Sequence, residues 1–419
     1  MEYQNGKYTL QGISLEEIAQ EFGTPLYIYD GNKIISQYHR LHQAFSGVSI
    51  KLKYACKANT NISIIKLLKQ QGAGLDAVSI QEARIGLMAG YSPSQIMFTP
   101  NCVDFSEMEE AIELGLVLNL DSLPALEYFG KKYGNRVPIC LRIRPGITAG
   151  GNSNIQVGHN RSKFGLPLDQ LPQAKEIIQR YQLNVVGLHK HSGSDIKETD
   201  AFVRGANLLF DLAIGFPNLT FIDLGSGFKV AYKAGDIVTN IEELGAKVSI
   251  TFQEFCRKYG KNLELWFEPG KFLVSEAGYF LVTVSLVKET TETTFVGVHS
   301  GFNHLIRPMF YHAHHDIINI SNPEGEKKTY DVVGYICETD TFSRDCSLSE
   351  VRRGDILCFK NAGAYGYSMA SNYNSRPRPA EVLVLNGNIY LIRQREGLQD
   401  LMQHQIDIFQ SISVCKNSA

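Results

Sequence analysis

The chain has 419 residues, of which 44% are hydrophobic and 20% are charged. This composition excludes a disordered chain and is long enough for two domains. A net charge of -2 argues against a nucleic-acid binder and against a polybasic membrane-surface protein. No apolar run approaches the roughly 20 residues of a membrane span, and the polar start lacks a signal peptide, so we expect a soluble, cytoplasmic protein.

The cysteines and the first residues allow two further expectations. Eight cysteines without a CxxC pair, in a chain without a secretory signal, favour reduced and mostly buried thiols. Residues 1–23 predict a short strand near Lys7–Leu10 and then a helix, and the segment Tyr3–Leu10 is expected to pair with a later β domain. Ser14 and Glu17 have the pattern of a capping box for that helix, and Gly23 is placed to end it.

Between residues 48 and 268, short apolar runs alternate with helical patterns that open at caps such as Asp104 and Ser122. The eight runs are 50–56, 75–78, 95–99, 116–120, 137–143, 184–190, 219–224 and 263–267. Strands that alternate with helices pair in parallel through right-handed crossovers. Eight such units predict a TIM (β/α)8 barrel. The competing fold is a doubly wound sheet, which rarely needs eight repeats, and no GxGxxG follows the first run.

After Gly270 the pattern becomes that of strands separated by turns, over 278–287, 295–299, 329–336, 355–359 and 380–393. Asn386-Gly387 is typical of a tight hairpin. We therefore expect an α/β protein with two domains. Residues 24–275 would form the barrel, and 1–23 with 276–419 would form an all-β, Greek-key barrel-like domain with a C-terminal tail.

Polar residues and glycines cluster where the predicted barrel strands end, which is where TIM barrels place their active sites. They are Lys57, Asp76, His191, Ser194, Gly225, Ser226, Gly227, Glu268, Gly270 and Lys271. Glycine-rich turns after strands seven and eight are typical of a phosphate cradle, because bare backbone amides can approach an anion closely.

A lysine at the end of an apolar strand is often only a surface residue, but burial would lower its pKa and leave it nucleophilic. Lys57 together with a phosphate cradle predicts pyridoxal 5'-phosphate as the cofactor. We expect Glu268 to pair with the pyridine nitrogen and His191 to stack on the ring. His189 is expected to point away from His191 and to be structural.

Several motifs carry a family resemblance that runs from about residue 22 to residue 400. Tyr-Ala-Cys-Lys-Ala-Asn at 54–59, Gly-Leu-His-Lys-His-Ser-Gly-Ser at 187–194 and Glu-Pro-Gly at 268–270 resemble the fold-type III pyridoxal-phosphate decarboxylases. The segments 305–311, 337–340 and 363–369 are similar to those of the diaminopimelate decarboxylase branch of that family. The resemblance implies that Lys57, His191 and Cys337 are catalytic.

For the cofactor, the resemblance implies that Lys57 forms the Schiff base and that Ser194, the 225–227 turn and Gly270 hold the phosphate. Tyr365 would close over it. The cofactor set would also include Asp76 and Lys271.

For the substrate, the resemblance implies that Arg307 and Tyr311 bind the distal carboxylate. The substrate-binding set would also include Lys271 and Tyr365. Cys337 and Glu338 would come from the partner subunit of a homodimer. There Glu338 would bind the distal ammonium, and Cys337 would protonate the carbanion.

Two positions depart from the family pattern. Lys271 stands where the family usually has arginine and offers a point charge in place of a fork. His299 stands where an aspartate is usual.

The activity implied is decarboxylation of meso-2,6-diaminopimelate to L-lysine, the last step of bacterial lysine biosynthesis, which makes the enzyme a carboxy-lyase. Three alternatives stay open: a related decarboxylase acting on ornithine, arginine, carboxynorspermidine or a siderophore precursor, a racemase, and a non-catalytic homologue. The histidine-rich segment 311–316 suits no closed metal site, so we expect no metal. Residues 162–165, after a glycine-rich stretch at 146–158, form either a mobile loop over the site or an ordinary connection.

Overall fold

The computed structural model describes residues 1–144, 146, 162–191, 193–233 and 235–411. Within these ranges, eight parallel strands close into a barrel, because each strand pairs with the next and the last pairs with the first. The strands are Ile50–Ala55, Gly74–Ala77, Ile96–Phe98, Val117–Leu120, Pro138–Arg144, Asn184–His189, Phe221–Asp223 and Glu264–Phe267. The predicted TIM barrel is confirmed.

Amphipathic helices surround the barrel, each with its buried side chains toward the strands. They are Gly31–Ala44, Ile62–Gln70, Ile80–Met88, Phe105–Glu113, Leu123–Tyr133, Leu171–Tyr181, Thr199–Ala213 and Ile241–Tyr259. Asp104 caps one of them, as predicted, by accepting a hydrogen bond from the backbone N–H of Ser106 at 2.8 Å.

The helix Gly31–Ala44 precedes the first barrel strand but completes the ring. It packs against both Ile241–Tyr259 and Ile62–Gln70, while the eighth strand is followed by only the short helix Lys271–Val274. Gly245 makes this packing possible, because a Cβ at that position would lie 2.0 Å from the carbonyl oxygen of Ala44.

The second domain is built from β-strands, which confirms the prediction of a separate sheet-rich unit. Its strands are Leu26–Asp30, Gly278–Glu289, Thr294–Val298, Ile317–Asn319, Lys327–Val333, Thr341–Ser349, Ile356–Phe359, Ala380–Leu385 and Asn388–Arg393. The long strand Gly278–Glu289 is central and pairs with three neighbours. The last two strands form the predicted hairpin, with positive φ at Asn386 and Gly387.

The strand Leu26–Asp30 corrects the expected domain boundary. It pairs antiparallel with Gly278–Glu289 and parallel with Ala380–Leu385. Residues 26–30 therefore lie in the second sheet, and the first barrel helix begins only at residue 31.

The N-terminal residues differ from two expectations. Lys7–Leu10 pairs only with Glu2–Gln4 and Ile13–Ser14, in a small sheet of its own, so the expected pairing with the β domain is wrong. The segment is attached by packing instead, since Leu10 belongs to the same apolar cluster as the second-domain strands.

The predicted capping box is also absent. The Ser14 side chain makes no capping hydrogen bond, and Ser14 is the last residue of a strand in which it pairs with Thr9. Gly23 does end the helix, with φ 70° and its N–H on the carbonyl of Ala19 at 2.9 Å.

The cysteines of the described residues agree with the expectation of free and mostly buried thiols. The seven cysteines in the described ranges are free, and four of them are buried, as expected; Cys415 lies outside those ranges. No helix among the described residues is both long enough and apolar enough to cross a membrane.

A buried carboxylate joins the two domains. Glu381 is completely buried and accepts hydrogen bonds from the Tyr29 hydroxyl at 2.6 Å and the Asn61 amide at 2.9 Å, and it pairs with Arg393. Asn61 also caps the barrel helix Ile62–Gln70. Glu381 therefore links the barrel helix Ile62–Gln70 to the second-domain strands that carry Tyr29 and Arg393.

We predict that Glu381→Ala lowers the free energy of unfolding by about 3 kcal/mol, because it leaves several buried donors without an acceptor. Urea unfolding measures this loss. The matched control is Glu350→Ala, which removes an exposed ion pair with Lys328 and should cost less than about 1 kcal/mol. Equal losses in the two variants would contradict the linking role of Glu381.

Candidate active site

A cavity of about 720 Å³ opens at the C-terminal ends of the barrel strands, where the second domain meets the barrel. Its walls come from the ends of several barrel strands and from the second-domain helix Arg307–Tyr311. The predicted residues that line it are Lys57, His191, Ser194, Ser226, Gly227, Glu268, Gly270, Lys271, Arg307, Tyr311 and Tyr365. The fold thus brings together residues that lie up to 308 positions apart in the chain.

The glycine turns form the tightest part of the wall. A Cβ at Gly227, where φ is +109°, would lie 2.2 Å from the carbonyl oxygen of Gly193. A Cβ at Gly270 would lie 3.2 Å from that of Ala58. Only glycine fits the first position without a shift, and the backbone there is left accessible to an anion.

Gly225 belongs to the same turn, and a hydrogen bond fixes its backbone. It has φ +65°, and its N–H donates to the Asp223 carboxylate at 2.8 Å. The neighbouring loop is tied on as well, because the N–H of Ile196 donates to the carbonyl of Gly227 at 2.9 Å.

Lys57 follows the first barrel strand in a short 3-10 turn and is exposed to the cavity. Its ammonium lies 3.9 Å from the carboxylate of buried Asp76. Burial lowers the pKa of Lys57, but the nearby carboxylates, first Asp76 and then Glu268, oppose it and the net shift is upward. The expected lowering of this pKa is therefore wrong, because the argument from burial left out the carboxylate beside the amine.

Glu268 ends the eighth barrel strand as a buried carboxylate. Its Oε2 lies 3.0 Å from Nε2 of His189, whereas Oε1 is buried without a hydrogen-bond partner. Burial raises the pKa of Glu268, but His189 and Lys57 outweigh it and hold the pKa below its usual range. Glu268 therefore presents an ionised carboxylate with one open oxygen.

The expectation for His189 is wrong in its geometry. Residues two apart on a strand share a face, so His189 and His191 both point inward. His189 is completely buried against Glu268, and His191 lines the cavity. Burial lowers the pKa of His191 well below its usual value, and its Nδ1 accepts from the N–H of Ser226 at 3.3 Å. His191 is thus a neutral ring with a fixed acceptor.

Two cations of the cavity wall have different partners. The Lys271 ammonium lies 2.7 Å from the carboxylate of Asp195, which also lines the cavity. Arg307 donates from Nη2 to the Tyr232 hydroxyl at 3.2 Å, while its Nε is buried without a partner.

Further cavity residues were not predicted from the sequence: Thr99, Asn101, Arg142, Asp195, Tyr232 and Asp236. Arg142 is buried at the end of barrel strand five, with its guanidinium 4.7 Å from the Phe164 ring. The rule that finds polar residues at strand ends could have found Arg142. Asp195 and Tyr232 lie in loops, where no such rule applies.

Cys337 and Glu338 lie away from the cavity of their own chain. Both are exposed: the Cys337 thiol accepts from the Asn374 amide at 3.2 Å, and Glu338 accepts from the Tyr373 hydroxyl at 2.6 Å. His299 also lies outside the cavity wall, with its ring 5.9 Å from that of Tyr335.

The histidine-rich segment borders the cavity without gathering into a metal site. His314 pairs with Asp316 at 2.8 Å, and Nδ1 of His315 lies 2.9 Å from the carbonyl of Lys360. In the part of the chain that the structure describes, the atoms close enough to hold a metal belong to His189, Asp223 and Glu268.

Only part of the predicted loop over the site lies within the described residues. Apart from Gly146, the glycine-rich stretch 146–158 lies outside the described residues. Lys163 and Phe164, which follow it, do line the cavity.

Comparisons with known proteins identify the family. The family described as "Pyridoxal-dependent decarboxylase, pyridoxal binding domain" matches residues 31–275. The diaminopimelate decarboxylase of Methanothermobacter thermautotrophicus is 37% identical and covers 96% of both chains. The chain belongs to the diaminopimelate decarboxylase family of pyridoxal-dependent decarboxylases.

Solved structures of this family have the same architecture. The Helicobacter pylori diaminopimelate decarboxylase in complex with L-lysine is 32% identical, with a TM-score of 0.85, and covers 95% of this chain and 100% of its own. The M. jannaschii enzyme, also with L-lysine, is 32% identical, with a TM-score of 0.88 and 98% of both chains covered.

The cofactor of the family is pyridoxal phosphate, and the residues of the cavity fit it. The open Oε1 of Glu268 suits a protonated ring nitrogen, the glycine turns suit a phosphate, and Lys57 supplies the amine.

Asp76 provides a test of the charge arrangement. Burial raises its pKa to about 7, although Lys57 opposes the shift. Because the folded-state pKa lies above the ordinary value, protonated Asp76 stabilises the fold at low pH, and this stabilisation is lost as the pH rises through 7.

We predict that, between pH 5 and pH 8, the cofactor-free protein loses about 2 kcal/mol more unfolding free energy than its Asp76→Asn variant. The amide cannot titrate, so the difference between the two isolates Asp76. Urea unfolding across this pH range measures it. Parallel pH curves for the two proteins would show that Asp76 is ionised throughout.

Proposed function

We propose that this protein decarboxylates meso-2,6-diaminopimelate to L-lysine and carbon dioxide. The observation that carries the proposal is the buried guanidinium of Arg307, whose Nε lacks a partner and which faces the same cavity as Lys57. Such a site suits an amino acid with a second carboxylate at its far end. The relatives named above carry this activity in their names, and two of them were solved with L-lysine.

Pyridoxal phosphate, when bound, supplies an electron sink for the negative charge left at the α-carbon as carbon dioxide departs. Lys57 would hold the cofactor covalently. Glu268, kept ionised by His189 and Lys57, would hold a proton on the ring nitrogen and so strengthen the sink. His191 would cover the ring as a neutral group.

The phosphate would lie on the backbone of Ser194, Gly225 to Gly227 and Gly270, with Tyr365 closing over it. The Tyr365 backbone is fixed against the barrel, because its N–H donates to the carbonyl of Ala58 at 2.8 Å. Lys271 borders this region with its charge partly met by Asp195.

At the far end of the substrate, Arg307 and Tyr311 would bind the distal carboxylate. A substrate that ends in an ammonium alone, such as ornithine, would place a cation against Arg307 and leave its buried Nε unpaired. The diamine-forming alternatives are therefore less well supported.

We propose a homodimer with shared sites. The support is the exposure of Cys337 and Glu338 outside the cavity of their own chain, where a partner's cavity can receive them. In that arrangement Glu338 would bind the distal ammonium and Cys337 would protonate the α-carbon. We also propose that the enzyme acts in the cytoplasm, since its described thiols are free.

Incubation of the cofactor-loaded enzyme with meso-diaminopimelate tests the function. We expect carbon dioxide and L-lysine in equal amounts, and no turnover by Lys57→Ala, because that variant loses the amine that binds the cofactor. A fully loaded enzyme that leaves meso-diaminopimelate unchanged would refute the proposal.

Mixing two inactive variants tests the shared site. If Lys57→Ala and Cys337→Ala subunits exchange, about half of the dimers are mixed and each has one intact site, so activity returns to about a quarter of the wild-type value. Steady-state assays before and after exchange measure this. If activity does not return although native mass spectrometry detects mixed dimers, Cys337 does not act across the interface.

A further inference from the structure

Tyr232 lies in the loop after barrel strand seven, where it contacts the substrate-facing arginine. Its side chain is nearly buried, and its hydroxyl oxygen lies 3.2 Å from Nη2 of Arg307 and 3.3 Å from the hydroxyl of Ser275. A guanidinium has only donors. The Tyr232 oxygen therefore accepts from Arg307, and its own proton is available to Ser275.

The loop around Tyr232 is fixed to both domains. The N–H of Tyr232 donates to the Asp236 carboxylate at 3.2 Å, and Asp236 pairs with Lys229 at 2.5 Å. From the second domain, the amide of Asn361 donates to the carbonyl of Ala231 at 2.8 Å. A side chain held in this way can serve as a fixed support for Arg307.

The guanidinium of Arg307 lies among three aromatic rings and has a donor without a hydrogen-bond partner. Its central carbon is 5.5 Å from the Tyr232 ring, 5.9 Å from the Tyr311 ring and 6.0 Å from the Tyr365 ring. The bond to Tyr232 takes up part of the donor set, but the buried Nε has no partner. A carboxylate that binds a guanidinium needs unpaired donors held in a fixed orientation.

A second cation lies near the same ring but is already paired. The Lys271 ammonium is 5.8 Å from the centre of the Tyr232 ring and 2.7 Å from the Asp195 carboxylate. Asp195 therefore satisfies Lys271, while Arg307 is left able to take an external carboxylate.

We propose that Tyr232 is a positioning residue that holds Arg307 so that the unpaired donors of the guanidinium receive a substrate carboxylate. The inference rests on the proposed function for the identity of the substrate, but not for the contact itself. Tyr232 acts through Arg307, whose Nη2 donates to its hydroxyl. Its loss should weaken carboxylate binding and leave the chemical step nearly intact.

The test compares the cofactor-loaded wild type with Tyr232→Phe, which removes the hydroxyl and keeps the ring. We expect the KM for meso-diaminopimelate and the Kd for pimelate to rise about tenfold, because a hydrogen bond to a charged group is lost. The kcat should change by less than about threefold. Tyr181→Phe, which removes a hydroxyl bound to Glu127 outside the cavity, is the matched control and should leave all three constants unchanged.

Pimelate separates this inference from the proposed function. It has two carboxylates and no amino group, so calorimetry reports its binding whether or not meso-diaminopimelate is turned over. An enzyme that binds pimelate without decarboxylating the substrate would refute the function and leave the test of Tyr232 valid. Absence of pimelate binding to the wild type would overturn the inference.

A double variant distinguishes positioning from general support of the fold. In an Arg307→Gln background, Tyr232→Phe should weaken pimelate binding little further, because Tyr232 acts through the guanidinium that Arg307→Gln has already removed. Additive losses would overturn the inference. So would an unchanged Kd in Tyr232→Phe, or a fall in kcat with an unchanged KM.

Discussion

The arrangement of the cavity depends on one buried negative charge, the carboxylate of Glu268 at the end of the eighth barrel strand. A carboxylate in such a place is costly unless hydrogen bonds and cations compensate it. His189 supplies the hydrogen bond and Lys57 a nearby positive charge. The same charge raises the pKa of buried Asp223 well above its usual value, with burial as the larger cause. The upper part of the barrel interior is therefore a polar layer in which the pKa of Glu268 is lowered and the pKa of Asp223 is raised.

The second domain adds what the barrel lacks. The barrel contributes the amine, the open carboxylate oxygen and the glycine turns, all of which suit a cofactor. Arg307 comes from a helix of the second domain, and its hydroxyl partner, Tyr232, comes from a barrel loop. Under the proposed function, recognition of the far end of the substrate would be shared between the domains, and contacts such as that of Glu381 with Asn61 hold the two domains together.

Much of this could be predicted from the sequence, because the barrel follows a simple alternation. Runs of apolar residues located all eight strands, and the rule that TIM barrels place function at strand ends brought Lys57, His191 and Glu268 to one site. The strand Leu26–Asp30 was assigned to the wrong domain, since a short buried run has the same pattern whichever sheet it joins. Arg142 was missed although the same rule covers it.

Other features depend on tertiary contacts that no local pattern encodes. The upward shift in the pKa of Lys57 requires knowing that Asp76 is 3.9 Å away. The pairing of Lys271 with Asp195, and of Arg307 with Tyr232, joins loops and helices far apart in the chain. His189 is different, because strand periodicity alone places it on the same face as His191.

The central claim is that Arg307, a buried arginine with an unpaired Nε beside a cofactor site, selects an amino acid with a second carboxylate. The most direct measurement is the ratio of kcat/KM for meso-diaminopimelate to that for L-ornithine, on the same cofactor-loaded enzyme. A buried donor left unpaired penalises the wrong substrate heavily, so the account predicts a preference of at least about a thousandfold for meso-diaminopimelate. Equal values, or a preference for ornithine, would contradict it.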